Sequence, residues 1–160
     1  MAIKVGDKVP AGALGHKTAD GINPVSTDDL FKGKKVVLFS VPGAFTPTCS
    51  AKHLPGFVQN ADAIKSKGVD TIACMAVNDP FVMEAWGKDQ HVGDKVLMLA
   101  DGSAKYAKEL GLELDLVEMG LGVRSKRFAM VVDDGTVTEL MIDPPGEFGA
   151  TSAESVLEKL

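Results

Sequence analysis

The sequence predicts an α/β fold, a central mixed β-sheet flanked by helices, on three observations. Short apolar runs of strand length alternate with stretches punctuated as helices. The runs are continuously apolar, as strands buried on both faces are. An Asp-Gly hairpin signal near the C-terminus then adds a pair of antiparallel strands. The 160 residues suit one domain, residues 1–160, and contain no internal repeat, linker or low-complexity tract.

Each element has a local cause. Lys35 to Val41 (KVVLFSV), Thr71 to Val77 (TIACMAV) and Val96 to Ala100 (VLMLA) are the buried runs, and β-branched valines in two of them favour strand over short helix. Asn78 or Asp79 can cap a helix with Pro80 in its first turn that continues through Trp86. Ser103 to Leu110 reads as a short helix closed by Gly111. Arg127 to Val132 and Thr136 to Ile142 flank Asp133-Asp134-Gly135, where Asp-Gly supplies the positive φ of a tight turn. Thr151 to Glu154 (TSAE) has the spacing of a capping box opening a C-terminal helix.

Composition narrows the function. Hydrophobic residues make up 45% and charged residues 24%, as in ordinary globular proteins. A net charge of −5 argues against a nucleic-acid surface, and no apolar run approaches the ~20 residues of a membrane-spanning helix. The N-terminus has no long apolar core and carries Asp7, so a cytoplasmic location is expected. Two cysteines are too few for a disulfide scaffold or a four-thiolate zinc site. His16, His53 and His91 make no pair with metal-ligand spacing, so neither metal nor cofactor is expected.

The chemistry concentrates in Val41-Pro-Gly-Ala-Phe-Thr-Pro-Thr-Cys-Ser50, directly after the first buried run. Thr46 suits an N-cap and Pro47 the first helical position, which puts Cys49 in the first turn. Free backbone N–H groups and the helix dipole there favour a thiolate. A free thiol is only a few per cent ionised at neutral pH, and holding one mostly as thiolate takes about 3.4 kcal/mol. A helix end supplies ~0.3–1 kcal/mol, up to ~2 in good geometry, so a cation is expected nearby.

Of seventeen basic residues only Arg124 and Arg127 are arginines. Arginine keeps its charge in a partly dry pocket, where a lysine can lose it. In an extended segment the two would point to opposite faces, so one at most faces the sulfur, and Arg127, beside the apolar run, is favoured. Cys74 lies within an apolar run, where filling the core and serving as a second redox thiol are equally open. Pro55 removes a hydrogen bond from the helix carrying Cys49 and so eases its opening. His53, one turn after Cys49, could be the base of a cysteine hydrolase; a place on the helix surface is the favoured reading.

Pro42-Gly-Ala-Phe-Thr46-Pro-Thr-Cys49 matches the peroxiredoxin pattern Pro-x-x-x-Thr-x-x-Cys. With the HLPGF, VNDPFVMEAW and RSKRFAMVV segments, the chain resembles type II, or peroxiredoxin-5-like, enzymes over nearly its whole length. The resemblance implies a thioredoxin-like fold and reduction of hydrogen peroxide and alkyl hydroperoxides through a Cys49 sulfenic acid. Thr46 and Arg127 would then polarise the peroxide, and Pro42 would shield the pocket, with Phe45 helping to keep it dry. Some members carry a second cysteine 25 residues downstream, as Cys74 is here, for an internal disulfide reduced by glutaredoxin, glutathione or thioredoxin. The resemblance also suggests a homodimer. The non-enzymatic alternative is a redox-sensing or chaperone-like protein that passes oxidation to a partner.

Overall fold

The computed structural model describes residues 2–160; Met1, the first residue of the expected 1–160 domain, lies outside the described residues. Two strands precede the first apolar run: β1 (Ala13–Thr18) and β2 (Gly21–Ser26), a hairpin followed by α1 (Thr27–Phe31). Next come β3 (Lys35–Val41), a π-helical turn (Cys49–His53) running into α2 (Leu54–Gln59), then α3 (Ala61–Lys65), β4 (Thr71–Ala76), α4 (Pro80–Asp89) and β5 (Leu97–Ala100). The chain continues through α5 (Lys105–Leu110), β6 (Glu113–Leu116), a 3₁₀ turn (Val117–Met119), β7 (Gly122–Ser125), β8 (Arg127–Asp133), β9 (Thr136–Asp143) and α6 (Ala153–Lys159).

The seven strands of the main sheet run in the order β2-β1-β5-β4-β3-β8-β9. β3, β4 and β5 are parallel, and β8 and β1 join them antiparallel on either side. β6 and β7 form a separate two-stranded ribbon. Strand alternation builds two cores. Val37, Phe39 and Val41 of β3 face the layer of α2, α3, α4 and α6, whereas Val36 and Leu38 face α1 and α5. β4 repeats the division, with Ile72, Cys74 and Ala76 on the first face and Ala73 and Met75 on the second.

The expected mixed sheet, the three buried runs and the hairpin are all present. Asp134 (φ 48°) and Gly135 (φ 83°) make the left-handed turn between β8 and β9. Asp79 caps α4, its Oδ1 accepting from the Val82 N–H at 2.8 Å. The starts of α6 and α5 differ from expectation. Ser152 rather than Thr151 caps α6, accepting from Ser155 N–H, because the Thr151 hydroxyl is bonded to Asp143. α5 begins at Lys105 rather than Ser103, since Ala104 takes a left-handed conformation. Asp101, 4% exposed, caps it across the turn, accepting from Tyr106 N–H at 3.0 Å and Ala107 N–H at 2.8 Å.

Replacing Asp101 by Ala strands both of these N–H groups. It should lower stability by about 1–2 kcal/mol, measured as a shift in the urea midpoint at unchanged slope.

Candidate active site

β3 lies in the middle of the sheet between β4 and β8, and its carboxyl end releases the Pro42–Cys49 segment. Ser40 of β3 pairs with Phe128 of β8, so antiparallel register brings the first residue of β8, Arg127, to that same end. Arg127 has the parity of Ala129 and Val131, which face the Cys49 layer, while Phe128 and Met130 face the other. The β8–β9 register in turn sets Asp143 opposite Arg127.

Cys49 stands at the head of the π-turn with no exposed surface. The Leu54 N–H bonds to the Cys49 carbonyl, five residues back. Pro55 accounts for this wide turn: its ring would collide with the carbonyl four residues earlier and it has no N–H to donate, and widening the turn accommodates both. Trp86 Nε1–H donates to Ser50 Oγ at 3.0 Å and ties the turn to α4.

The expected cation is in place. Arg127 Nη2–H donates to Cys49 Sγ at 3.1 Å, and Nη1–H donates to His53 Nδ1 at 2.8 Å. The second nitrogen of His53, Nε2, is 2.9 Å from the Thr151 carbonyl. An arginine can only donate and a carbonyl can only accept, so the ring is neutral with its proton on Nε2. Burial first, and then the adjacent guanidinium, push the His53 pKa down to about 3, against the opposing Thr151 carbonyl and Asp143 charge. Phe39, Phe57 and Phe148 surround the ring at centroid distances of 5.0, 5.6 and 5.0 Å, and Phe148 also lies under the guanidinium.

These contacts correct the reading of His53. It is fully buried, not on the helix surface, because the widened turn directs it into the aromatic cluster under Arg127. They also remove the hydrolase alternative, since both ring nitrogens are occupied and neither accepts from the thiol. Asp143, 5% exposed, supports this arrangement from behind. Its carboxylate accepts from Gly149, Ala150 and Thr151 N–H and from the Thr151 hydroxyl. Burial raises its pKa, but the Thr151 hydroxyl and these backbone donors outweigh it, and the carboxyl lies below its usual range.

Thr46 does not cap by its side chain as expected. Its hydroxyl donates to the Gly43 carbonyl at 2.7 Å, while its own carbonyl accepts the Ser50 N–H. Asn78 binds the loop rather than a helix end, accepting from Ala44 N–H at 2.9 Å. Pro42 is half-buried, and its carbonyl accepts from Arg124 Nη1 at 3.3 Å. Arg124 thus braces the same loop, a role missed in the sequence; it is anchored by Nε to the Leu121 carbonyl at 2.8 Å. Gly43 makes room for it, since a Cβ there would lie 2.8 Å from Arg124 Nη1 and would displace the guanidinium. Phe45 is not among the residues that line the pocket it was expected to help keep dry: its φ is 62° and it is 54% exposed, near Trp86.

Pro42, Thr46 and Arg127 line a cleft of about 580 Å³ whose other wall includes Leu114, Leu116, Met119 and Leu121 of the small ribbon and its turn. Cys49 itself is fully buried and touches the cleft wall through Arg127. A somewhat larger cavity, about 690 Å³, lies between β1, α4 and the segment before β5, and neither a cysteine nor an arginine lines it. Among the described residues no three His, Cys, Asp or Glu side chains gather to hold a metal ion.

Cys74 pairs with Phe39 in the sheet and faces the layer that carries Cys49. Both thiols are free and fully buried. Burial, then the proximity of Cys49, push the Cys74 thiol well up, against a smaller opposing effect of Arg127.

Fold and site together define a thioredoxin-like protein with one buried, arginine-bound cysteine just beyond the end of a central strand. The Redoxin family model matches residues 4–157. Peroxiredoxin-2B of Arabidopsis thaliana is 53% identical, covering 99% of this chain and 98% of that protein. Reduced Prx3 of Vibrio vulnificus in complex with hydrogen peroxide superposes with a TM-score of 0.94 at 49% identity, over 98% of both chains. Peroxiredoxin 5 of Alvinella pompejana gives a TM-score of 0.85 at 38% identity, over 98% of this chain and 96% of that one. The chain belongs to the Redoxin family and, within it, to the type II peroxiredoxins, which are thiol-dependent peroxidases.

The neutral His53 has a consequence for stability. A histidine whose pKa is depressed in the fold stabilises fully above its unfolded pKa of ~6.5 and progressively less below it, because only the unfolded chain takes up the proton. The urea midpoint should therefore drop as the pH is lowered from about 6.5 to about 5.5, above most of the range where carboxylates titrate in the unfolded state. His53→Phe should flatten the pH dependence in that window.

Proposed function

We propose that Cys49 is the peroxide-attacking thiolate and that Thr46, Arg127 and Pro42 form the pocket in which it works. The observation that carries this reading is the 3.1 Å contact from Arg127 Nη2 to Cys49 Sγ. The thiolate attacks one oxygen of a hydroperoxide ROOH; the O–O bond breaks, the S–O bond forms, and the other oxygen leaves as RO⁻ and takes up a proton. Charge grows on the oxygens as the bond breaks, and a guanidinium already fixed at the sulfur stabilises it without reorganisation. The Thr46 proton is committed to the Gly43 carbonyl, so its oxygen lone pairs are free to accept from the hydroperoxide O–H and turn the peroxide toward the sulfur. Hydrogen peroxide and alkyl hydroperoxides are the substrates, the apolar ribbon side of the cleft suiting the latter.

Cys74 resolves the sulfenic acid: its thiol displaces water from Cys49–SOH, and the disulfide is then reduced by a dithiol of the glutaredoxin or thioredoxin kind, or by glutathione. Its place on the sheet face toward Cys49 supports this. The enzyme acts in the cytoplasm, a reducing compartment suited to its two free thiols. It works as a homodimer, with exposed Met119 and Leu121 as apolar surface for a second copy to cover.

Intact mass after one equivalent of hydrogen peroxide tests the chemistry. Wild type should lose two hydrogens, Cys74→Ser should gain one oxygen, and Cys49→Ser should be unchanged. A stable added oxygen in wild type would make Cys74 structural, and an unreactive Cys49 would sink the whole reading. Arg127→Gln should slow peroxide reduction by roughly 10²–10³-fold, the usual loss on removing one transition-state donor.

A further inference from the structure

Arg124 takes no part in the chemistry above, yet it bridges the two walls of the cleft. It pairs with Leu114 across the β6–β7 ribbon, and cross-strand partners share a face, so it rises on the same side as Leu114 and Leu116 of the apolar wall. Its Nε–H donates to the carbonyl of Leu121 in that wall at 2.8 Å. Its Nη1–H donates to the carbonyl of Pro42 on the opposite wall at 3.3 Å. Two donors on one rigid plane thus fix a spacing between the walls. No carboxylate competes for the guanidinium: among the described residues the ion pairs are Lys4–Asp7, Lys17–Glu84 and Lys88–Glu84.

The ribbon needs such a tie, because β6 and β7 pair only with each other and not with the main sheet. Its base is pinned where the buried Ser125 hydroxyl accepts from Ser40 Oγ at 2.8 Å. Farther out, the bond to Pro42 sets how far the apolar wall stands from the loop. The loop is shaped to receive it. Gly43 has no left-handed φ, so alanine would meet no backbone strain there, only the guanidinium at 2.8 Å and Thr46 Cγ2 at 3.2 Å. The Gly43 carbonyl accepts the Thr46 hydroxyl, so a shift of the loop at Pro42 is passed to Thr46. Resting on the peroxidase reading of Cys49, we propose that Arg124 is a positioning residue that sets selectivity: keyed onto Gly43, it fixes the width of the cleft in which organic hydroperoxides are held.

The test is the ratio of the rates at which cumene hydroperoxide and hydrogen peroxide oxidise Cys49. Taken within one preparation, that ratio does not depend on how much of the protein is folded. Hydrogen peroxide touches the loop alone, whereas the aryl body of cumene hydroperoxide must meet the ribbon while its O–O group lies at Thr46. Arg124→Ala should therefore slow hydrogen peroxide by ~10-fold and cumene hydroperoxide by ~100-fold, the latter the scale of a 1 Å misplacement. Arg124→Lys keeps the charge but not the fork, and should shift the ratio as Ala does. Gly43→Ala should shift it too, by displacing the guanidinium, and should shift it no further in the Arg124→Ala background. An unchanged ratio in Arg124→Ala, a wild-type ratio in Arg124→Lys, or independent effects of the Gly43 and Arg124 substitutions would overturn the proposal. If Arg124→Ala does not fold, Arg124→Lys and its combination with Gly43→Ala decide. If wild type leaves both peroxides untouched, the peroxidase reading of Cys49 falls instead, and the same ratios are read from Cys49 alkylation by iodoacetamide and by the bulkier N-benzylmaleimide.

Discussion

One guanidinium joins the Cys49 sulfur to the rest of the molecule. Arg127 spans Cys49 and His53 with two adjacent N–H groups, and these bonds are the site's link between the central strand, the π-turn and the C-terminal loop. The magnitudes show why it is needed. A helix end alone offers ~0.3–1 kcal/mol toward a thiolate, whereas a hydrogen bond to a charged group contributes ~1.5–3. Only the two together approach the ~3.4 kcal/mol that a predominantly ionised thiol demands. For the thiolate proposed at Cys49, the helix would position the sulfur and the arginine would supply most of the electrostatics.

That contact depends on sheet topology. A parallel neighbour at the β8 position would present its carboxyl end beside that of β3, and Arg127, at the other end of the strand, would lie a full strand length from Cys49. Because β8 is antiparallel, its first residue enters where β3 leaves. The next antiparallel step places Asp143, the last residue of β9, against Arg127. From there Asp143 folds the loop back so that the Thr151 carbonyl meets His53. A charged pair in register would ordinarily form a salt bridge. Here the aspartate is consumed by backbone donors, and a neutral imidazole stands between the two charges.

Much of this was legible in the sequence because it rests on local rules. The buried runs, the Asp-Gly turn, Asp79 and the first-turn cysteine follow from periodicity, propensity and capping. The β1–β2 hairpin did not: only Leu14 of β1 is fully buried, β2 is an exposed edge carrying Pro24, and neither has the apolar run of an interior strand. The scarcity of arginines points to Arg127, but strand alternation wrongly sets Arg124 aside. The chain breaks between β7 and β8, so the two arginines belong to different sheets and alternation does not relate them. His53 was misplaced for a similar reason. Counting 3.6 residues per turn from Cys49 fails inside a π-turn, and Pro55, the residue that explains the turn, was read only as a weak point.

The same contacts also bear on how the cycle could close. Resolution by Cys74 requires two fully buried thiols on different layers to meet, and disulfide geometry requires their Cα atoms within about 7 Å. The sulfur must leave Arg127, and the π-turn must unwind against the Trp86–Ser50 bond. In the reduced enzyme that departure would forfeit a charge-assisted bond. On the proposed mechanism, oxidation to the sulfenic acid would replace a thiolate by a neutral group, and the arginine would lose much of its hold at the moment release is needed. The widened turn has already given up regular α-helical bonding, which lowers the remaining cost. On that proposed mechanism, activation and release would both be set by one variable, the charge on Cys49, acting through one side chain.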